Sequence, residues 1–282
     1  MKRISYTINV RGHLVDLSEP QVMGILNVTP DSFFAGSRKQ TEAEIADRAN
    51  QIVREGGTII DVGGFSTRPG AQEVSAEEEA RRLKFALGIV RREQPDVPVS
   101  VDTYRPEVAR RCIEEWGVDI INDVSEGGIT GIVDTPLEQQ SGDTVPEMFR
   151  LVGELKVPYI LMSVQADLKT MMLNFAREIQ QLRDLGAKDI ILDPGFGFGK
   201  TLEGNYRLMD EMDKLEVFEL PLLVGISRKR MIHQLLGITV DESLNGTTVL
   251  NTIALMRGAN ILRVHDVLPA VQAVKIIKKL KE

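Results

Sequence analysis

Eight short apolar runs, each followed by a segment of helical periodicity, constrain this chain more than any other feature. The runs cover residues 21–28, 57–64, 97–103, 118–124, 157–164, 189–195, 221–227 and 259–266. Most are rich in β-branched residues, and their apolarity is nearly continuous. A parallel strand covered on both faces needs that pattern, because neither face meets water. Helix signatures fill the intervals at 42–55, 75–94, 105–116, 146–155, 168–185, 204–216, 247–257 and 267–281. Thr41-Glu-Ala-Glu44 and Ser75-Ala-Glu-Glu78 have the spacing of capping boxes, in which a hydroxyl and a carboxylate satisfy the free amides of a helix start. In 75–94, Ala80, Leu83, Ala86, Leu87 and Val90 recur at helical spacing.

Eight strands alternating with eight helices predict a (β/α)8 TIM barrel. An open doubly wound sheet is the alternative, which a count of eight disfavours. Residues 4–17 alternate around Arg11-Gly12 and predict a short N-terminal β-hairpin, within 1–18, closing the bottom of the barrel. Barrels commonly run to this length as one unit, so 1–282 is read as a single domain. Residues 125–145 read as a long loop, a length that signals function or disorder.

The formal net charge of −7 argues against a broad nucleic-acid-binding face, which phosphate backbones require to be basic. It leaves room for a local cationic pocket. No apolar stretch approaches the roughly 18 residues of a membrane span, so no membrane partner is expected. Met1-Lys2-Arg3 leads into no apolar leader, and a cytoplasmic location is expected. The single cysteine, Cys112, allows no internal disulfide and no cysteine-built zinc cluster.

Polar residues sit at the C-terminal ends of the apolar runs. They are Asn27, then Thr29 and Asp31; Asp61, then Ser66, Thr67 and Arg68; Asp102 and Thr103; Asn122 and Asp123; Asp193; Ser227, Arg228 and Lys229; and Arg263, His265 and Asp266. Each taken singly reads equally well as a helix cap or a partner for loop backbone. Seven strand ends are harder to explain so, because unpaired buried charge is costly. In a barrel these ends meet at one rim, where active sites form. The predicted ring is Asn27, Asp61, Asp102, Asn122, Asp193, Lys229, Arg263 and His265. Asp102, Asn122 and Asp193 suit a flat, nitrogen-rich heterocycle. Lys229, Arg263 and His265, with Arg68 nearby, suit phosphate or another anion. Asn27 is a candidate oxygen ligand for magnesium, with substrate oxygens completing the shell. Gly195, Gly197 and Gly199 permit close backbone approach to a ligand. Their alternation matches neither a dinucleotide nor a P-loop fingerprint, so the Lys200-Thr201 ending reads as incidental. Residues 63–70 read as a loop that brings Thr67, Arg68 and Pro69 over the mouth.

Several blocks occur in a characteristic order. They are Met23-Gly-Ile-Leu-Asn-Val-Thr-Pro-Asp-Ser-Phe33, Asp61-Val-Gly-Gly-Phe-Ser-Thr-Arg-Pro-Gly-Ala71, Val101-Asp-Thr-Tyr104, Ile121-Asn-Asp-Val124, Leu192-Asp-Pro-Gly-Phe-Gly-Phe-Gly-Lys200, Gly225-Ile-Ser-Arg-Lys229, Leu244-Asn-Gly-Thr-Thr248 and Arg263-Val-His-Asp266. Together they resemble the dihydropteroate synthase family over essentially the whole chain. The resemblance implies a transferase of folate biosynthesis that joins a pterin pyrophosphate to 4-aminobenzoate. It implies Asp102, Asn122, Asp193 and Lys229 as pterin contacts, and Arg263, Val264, His265 and Thr67 as contacts to the pterin pyrophosphate. Catalytic roles fall to Asp102, Asp193, Lys229, Arg263 and His265. Phe33, Arg68, Pro69 and Phe198 would shape the aminobenzoate pocket, and Asn27 would bind Mg2+ with the pyrophosphate. The family is dimeric, which makes a homodimer through the region near 243–257 an expectation.

The chain departs from the family pattern at several positions. Phe65 stands where glutamate is frequent, Phe34-Ala35-Gly36 replaces a small polar run, and Arg230 replaces a serine. Leu161-Met-Ser-Val-Gln165 lacks the usual His-Met. Two other readings stay open on sequence alone: a pterin-dependent methyltransferase domain, and a catalytically weak pterin-binding paralogue.

Overall fold

In this computed structural model, residues 5–28, 38–65, 74–128 and 145–281 are described. The apolar runs form eight parallel strands: β3 (Gln21–Asn27), β4 (Ile59–Gly63), β5 (Val99–Asp102), β6 (Ile120–Asp123), β7 (Tyr159–Met162), β8 (Ile190–Asp193), β9 (Leu223–Val224) and β10 (Ile261–Val264). Neighbours run β8-β7-β6-β5-β4-β3-β10-β9. The ring closes where the Leu192 N–H donates to the Pro221 carbonyl at 2.9 Å, beside a parallel bridge between Leu192 and Leu222. The β9 strand is only two residues long, and Asn260 supports its start by accepting from the Leu222 N–H at 3.0 Å. The TIM barrel is therefore present, and the open-sheet alternative is excluded.

Around the barrel lie α1 (Arg38–Arg54), α2 (Ala76–Glu93), α3 (Pro106–Trp116), α4 (Glu147–Leu155), α5 (Leu168–Asp184), α6 (Leu202–Glu211), α7 (Arg230–Leu236), α8 (Leu244–Met256) and α9 (Val267–Lys281). Nine helices among the described residues replace the predicted eight. The additional one, α7, is two turns long and stops at Gly237, whose φ of 65° only glycine adopts readily. So short a helix leaves little periodicity to detect. Ser75 caps α2 as predicted, its hydroxyl accepting from the Glu78 N–H at 3.2 Å. The predicted box at Thr41 is not a helix start, because α1 already begins at Arg38.

The hairpin pairs β1 (Thr7–Val10) with β2 (His13–Asp16) and closes the bottom of the barrel. Ile8, Val10 and Leu17 pack against Met23, Ile59, Ile120, Ile160, Ile191, Leu223 and Ile261, the inward residues at the strands' N-terminal ends. A charged clamp holds it there. Arg11 donates to Asp119 at 2.5 and 2.9 Å, and the same buried carboxylate accepts from Arg91 at 2.6 Å and the Val99 N–H at 2.8 Å. No helix among the described residues is long and apolar enough to cross a membrane.

Asp119→Ala removes the carboxylate shared by two guanidinium groups and leaves the Val99 amide without its acceptor. It should cost roughly 3 kcal/mol of stability, read by thermal or denaturant unfolding. Ligand affinity at the opposite end of the barrel should stay unchanged in the folded fraction.

Candidate active site

Strand alternation directs alternate side chains into the barrel. On β10, Leu262 and Val264 face the helices, and Arg263 faces inward. Its guanidinium bridges two strands, donating from Nε to Asp61 of β4 at 2.7 Å and from Nη2 to Asp102 of β5 at 2.6 Å. Burial works against this charge, but Asp61 and Asp102 more than offset it and hold the guanidinium protonated. Asn122 of β6 donates to the same Asp61 carboxylate at 3.3 and 3.4 Å. Asp61 is thus a fully buried hub that orients Arg263 and Asn122.

Two acceptors remain. Asp102 Oδ1 and Asn122 Oδ1 are buried and have no hydrogen-bond partner among the described residues. Such atoms are costly unless a ligand satisfies them, and N–H groups of a heterocycle would do so. Burial pushes the Asp102 carboxyl up to about 7, with Arg263 opposing and Asp61 adding to the rise.

Across the mouth, Asp193 at the end of β8 accepts from the Gly195 N–H at 2.8 Å. Burial raises its pKa and the Lys229 charge opposes that. Lys229 donates to the Phe196 carbonyl, and its ammonium lies 4.6 Å from the centre of the Phe198 ring. Burial lowers it to about 8, with Asp193 opposing. The glycine loop requires its glycines: Gly195 has φ 66°, and a Cβ there would fall 1.9 Å from the Ser163 carbonyl oxygen.

The predicted ring therefore converges, though its members play unequal parts. His265 lies at the end of β10, its Nδ1 and its N–H each 3.1 Å from Ser227 Oγ. Val264 is fully buried in the helix–sheet layer, so its side chain is not available to a ligand at the mouth. Arg228 is committed to Asp266 through two 2.8 Å bonds. Asp123 is committed to Ser125, Gly127 and Tyr159. Asn27 Oδ1 and Asp102 Oδ2 both overhang Gly63, where a Cβ would lie 3.1 and 3.9 Å from them. Of these two oxygens, Asp102 Oδ2 already accepts from Arg263, which leaves the neutral Asn27 amide oxygen as the candidate ligand for a hard cation. No group of three His, Cys, Asp or Glu able to hold a metal occurs among the described residues. Asn27 could contribute one oxygen to a hard cation such as magnesium, whose remaining ligands would have to come from substrate. Beside Lys229, a cavity of about 350 Å³ is lined by Gly197, Lys200, Thr201, Asn205, Arg230 and Gln234, among others. Phe33, Thr67, Arg68 and Pro69 lie outside the described residues, as do Thr29 and Asp31.

Sequence reasoning missed one half-buried and two fully buried charged groups. Lys200 donates to three main-chain carbonyls, so the ending read as incidental has a structural part. Glu126 is fully buried beneath the turn after β7. Glu178 lies on the inward stripe of α5 with Met171, Phe175, Ile179 and Leu182. A carboxylate on an apolar stripe was a readable signal. Both Glu178 oxygens are buried without a hydrogen-bond partner, and burial, reinforced by Glu126, pushes its pKa up to about 9.

A positively charged and acidic mouth at the strand C-termini defines a (β/α)8-barrel enzyme whose site takes an anionic, nitrogen-rich ligand. The family model described as "Pterin binding enzyme" matches residues 23–265. The chain is 40% identical to the dihydropteroate synthase of Escherichia coli (strain K12), over 95% of this chain and 94% of that protein. The Xanthomonas albilineans dihydropteroate synthase structure with 4-aminobenzoic acid superposes with a TM-score of 0.84 at 33% identity, covering 98% of each chain. A second structure from that organism, in complex with 7,8-dihydropteroate, superposes with a TM-score of 0.81 at 30% identity, covering 98% of this chain and 99% of that one. The chain belongs to the pterin-binding enzyme family, among the dihydropteroate synthases.

Because the folded state holds the Glu178 proton and the unfolded chain releases it, stability should fall as pH rises from about 4.5 towards 9. Glu178→Gln cannot ionise. It should raise Tm at pH 8 and leave it nearly unchanged at pH 5, where the unfolded chain also begins to hold the proton.

Proposed function

We infer that this chain condenses 6-hydroxymethyl-7,8-dihydropterin pyrophosphate with 4-aminobenzoate, releasing 7,8-dihydropteroate and pyrophosphate. One observation carries the reading: unsatisfied acceptors on Asp102 and Asn122 share a rim with Arg263, Lys229 and His265. Asp102, Asn122 and Asp193 accept N–H groups of the pterin, and Lys229 donates to it beside Asp193. Phe198 forms one wall of the aminobenzoate pocket, with Phe33, Arg68 and Pro69 as its proposed remainder and Thr67 against the pyrophosphate.

The bond from the pterin methylene to the pyrophosphate oxygen breaks first, and its electron pair leaves with the pyrophosphate. Arg263 and His265 face that departing anion. The Arg263 Nε and Nη2 are engaged by carboxylates, and Nη1 makes no hydrogen bond among the described residues. Asp102 and Asp193 stabilise the positive charge left on the pterin. The arylamine nitrogen then forms the new C–N bond and loses a proton to solvent. No side-chain nucleophile is needed. Asn27 is the residue we propose to hold Mg2+, which when bound neutralises charge on the leaving pyrophosphate.

A homodimer through α8 and its neighbours fits the exposed apolar residues Leu235, Leu236, Leu244, Val249 and Met256. α8 carries no charged side chain on any face, which suits a helix covered by a partner surface. A cytoplasmic location is part of the same reading, since both substrates are small soluble metabolites.

Turnover with both substrates and magnesium should release pyrophosphate only when 4-aminobenzoate is present. Binding of the pterin pyrophosphate without turnover would instead favour the catalytically weak paralogue. Asp193→Asn should lower kcat about 100-fold. The profile of kcat/KM against pH should be bell-shaped, rising as Asp102 ionises near 7 and falling as Lys229 loses its proton near 8. Val249→Arg should convert the dimer to a monomer, read by light scattering.

A further inference from the structure

Lys200 is half-buried at the edge of the mouth and takes no part in the chemistry above. Its ammonium donates to the carbonyls of Gly195 at 2.9 Å, Phe198 at 3.0 Å and Ser163 at 3.4 Å. An ammonium has three protons, so none is left for a ligand. Two of the acceptors belong to the loop after β8 and the third to the turn after β7. One side chain thus fastens two neighbouring loops.

The fastened loop orients two ligand-facing groups through its own main chain. The Gly195 N–H holds the Asp193 carboxylate at 2.8 Å, and the Phe196 carbonyl accepts from Lys229. Gly195, Gly197 and Gly199 all have positive φ, at 66°, 84° and 62°. A stretch so rich in glycine has little intrinsic preference for one path, so contacts must select it. Lys200 supplies three of them at the loop's end.

A buried charge holds the other side of Ser163. Glu126 accepts from Ser163 Oγ at 3.1 Å and from Gln165 Nε2 at 2.8 Å, and the Gln165 N–H returns to Ser163 Oγ at 3.2 Å. Glu126 is fully buried and sits at φ 55°, a strained angle for a residue with a side chain. Burial raises the Glu126 carboxyl and lowers Lys200 to about 8, and the charge of each opposes that shift in the other. Ser163 lies in the strand-end segment Leu161-Met-Ser-Val-Gln165, which lacks the family's usual His-Met.

We propose that Lys200, linked through Ser163 to Glu126, is a positioning residue for pterin recognition, holding the β8 loop so that Asp193 and Lys229 meet the ligand together. The proposal rests on the pterin reading of the site. It is tested on the full chain with magnesium by calorimetric Kd for the pterin pyrophosphate, KM for 4-aminobenzoate, and Tm. Lys200→Met should weaken pterin binding about 10–100-fold, the usual cost of losing a group that orients a ligand-binding side chain. The KM for 4-aminobenzoate should move by less than about twofold. Lys200→Arg should restore part of the pterin affinity. Ser163→Ala keeps the carbonyl acceptor and loses the link to Glu126, so it should weaken pterin binding by a smaller factor.

A Lys200→Met protein that melts lower but binds pterin as tightly as wild type overturns the proposal, since the lysine is then only structural. If that variant does not fold, an unchanged Kd in Ser163→Ala overturns it equally. A wild-type chain that binds no pterin overturns the functional reading and this inference with it. Wild-type binding with unaltered variants overturns the inference alone.

Discussion

The buried ion pairs of Arg263 with Asp61 and Asp102 are the interaction on which the mouth of this barrel depends. They tie β10 to β4 and β5 across the interior. Removing one partner from such a group typically costs about 3–5 kcal/mol, because the others are left charged and dry. The same pairing makes the site functional. Asp61 absorbs one side of Arg263 and also the amide of Asn122, so Asn122 Oδ1 and Asp102 Oδ1 are left pointing where a ligand must satisfy them. In the proposed reading, recognition follows from what the internal charge network leaves unsatisfied.

The second requirement is a loop with glycine at alternate positions. The segment after β8 passes so close to the Ser163 and Val164 carbonyls that any Cβ at Gly195 or Gly199 would collide with main chain. Glycine removes that collision and also removes local rigidity. Half-buried Lys200 and the Asn205 side chain, which accepts from the Gly197 N–H at 2.7 Å, restore it. At the opposite end of the barrel, Asp119 and its two arginines fix the hairpin under the apolar floor. Substrate chemistry and structural closure therefore occupy opposite ends, as is usual for this architecture.

Much of this was legible from residue order. Continuous apolar runs identified each strand, because a strand buried on both faces has no polar side to display. Asp102, Asn122, Asp193, Lys229 and Arg263 stood out as polar groups at the ends of such strands, and the fold does gather them. The α7 helix was not legible, since seven residues complete too few turns. The start of α1 was misread at Thr41, where a capping spacing occurs inside a helix. Glu126 and Lys200 escaped notice because their partners, Ser163 and the loop carbonyls, are set by contacts between segments far apart in the chain.

The sequence by itself determined the architecture, the family and the inventory of charged groups at the rim, because hydrophobic periodicity and ordered motifs are local properties of the chain. Only the tertiary structure decided which of those groups are committed to one another. Asp61, Asp123 and Arg228 look identical in kind to Asp102, Asp193 and Lys229 when read along the chain. Distance and burial separate them, since Coulomb and hydrogen-bond energies depend on what lies within a few ångströms, and that is settled only when the barrel closes.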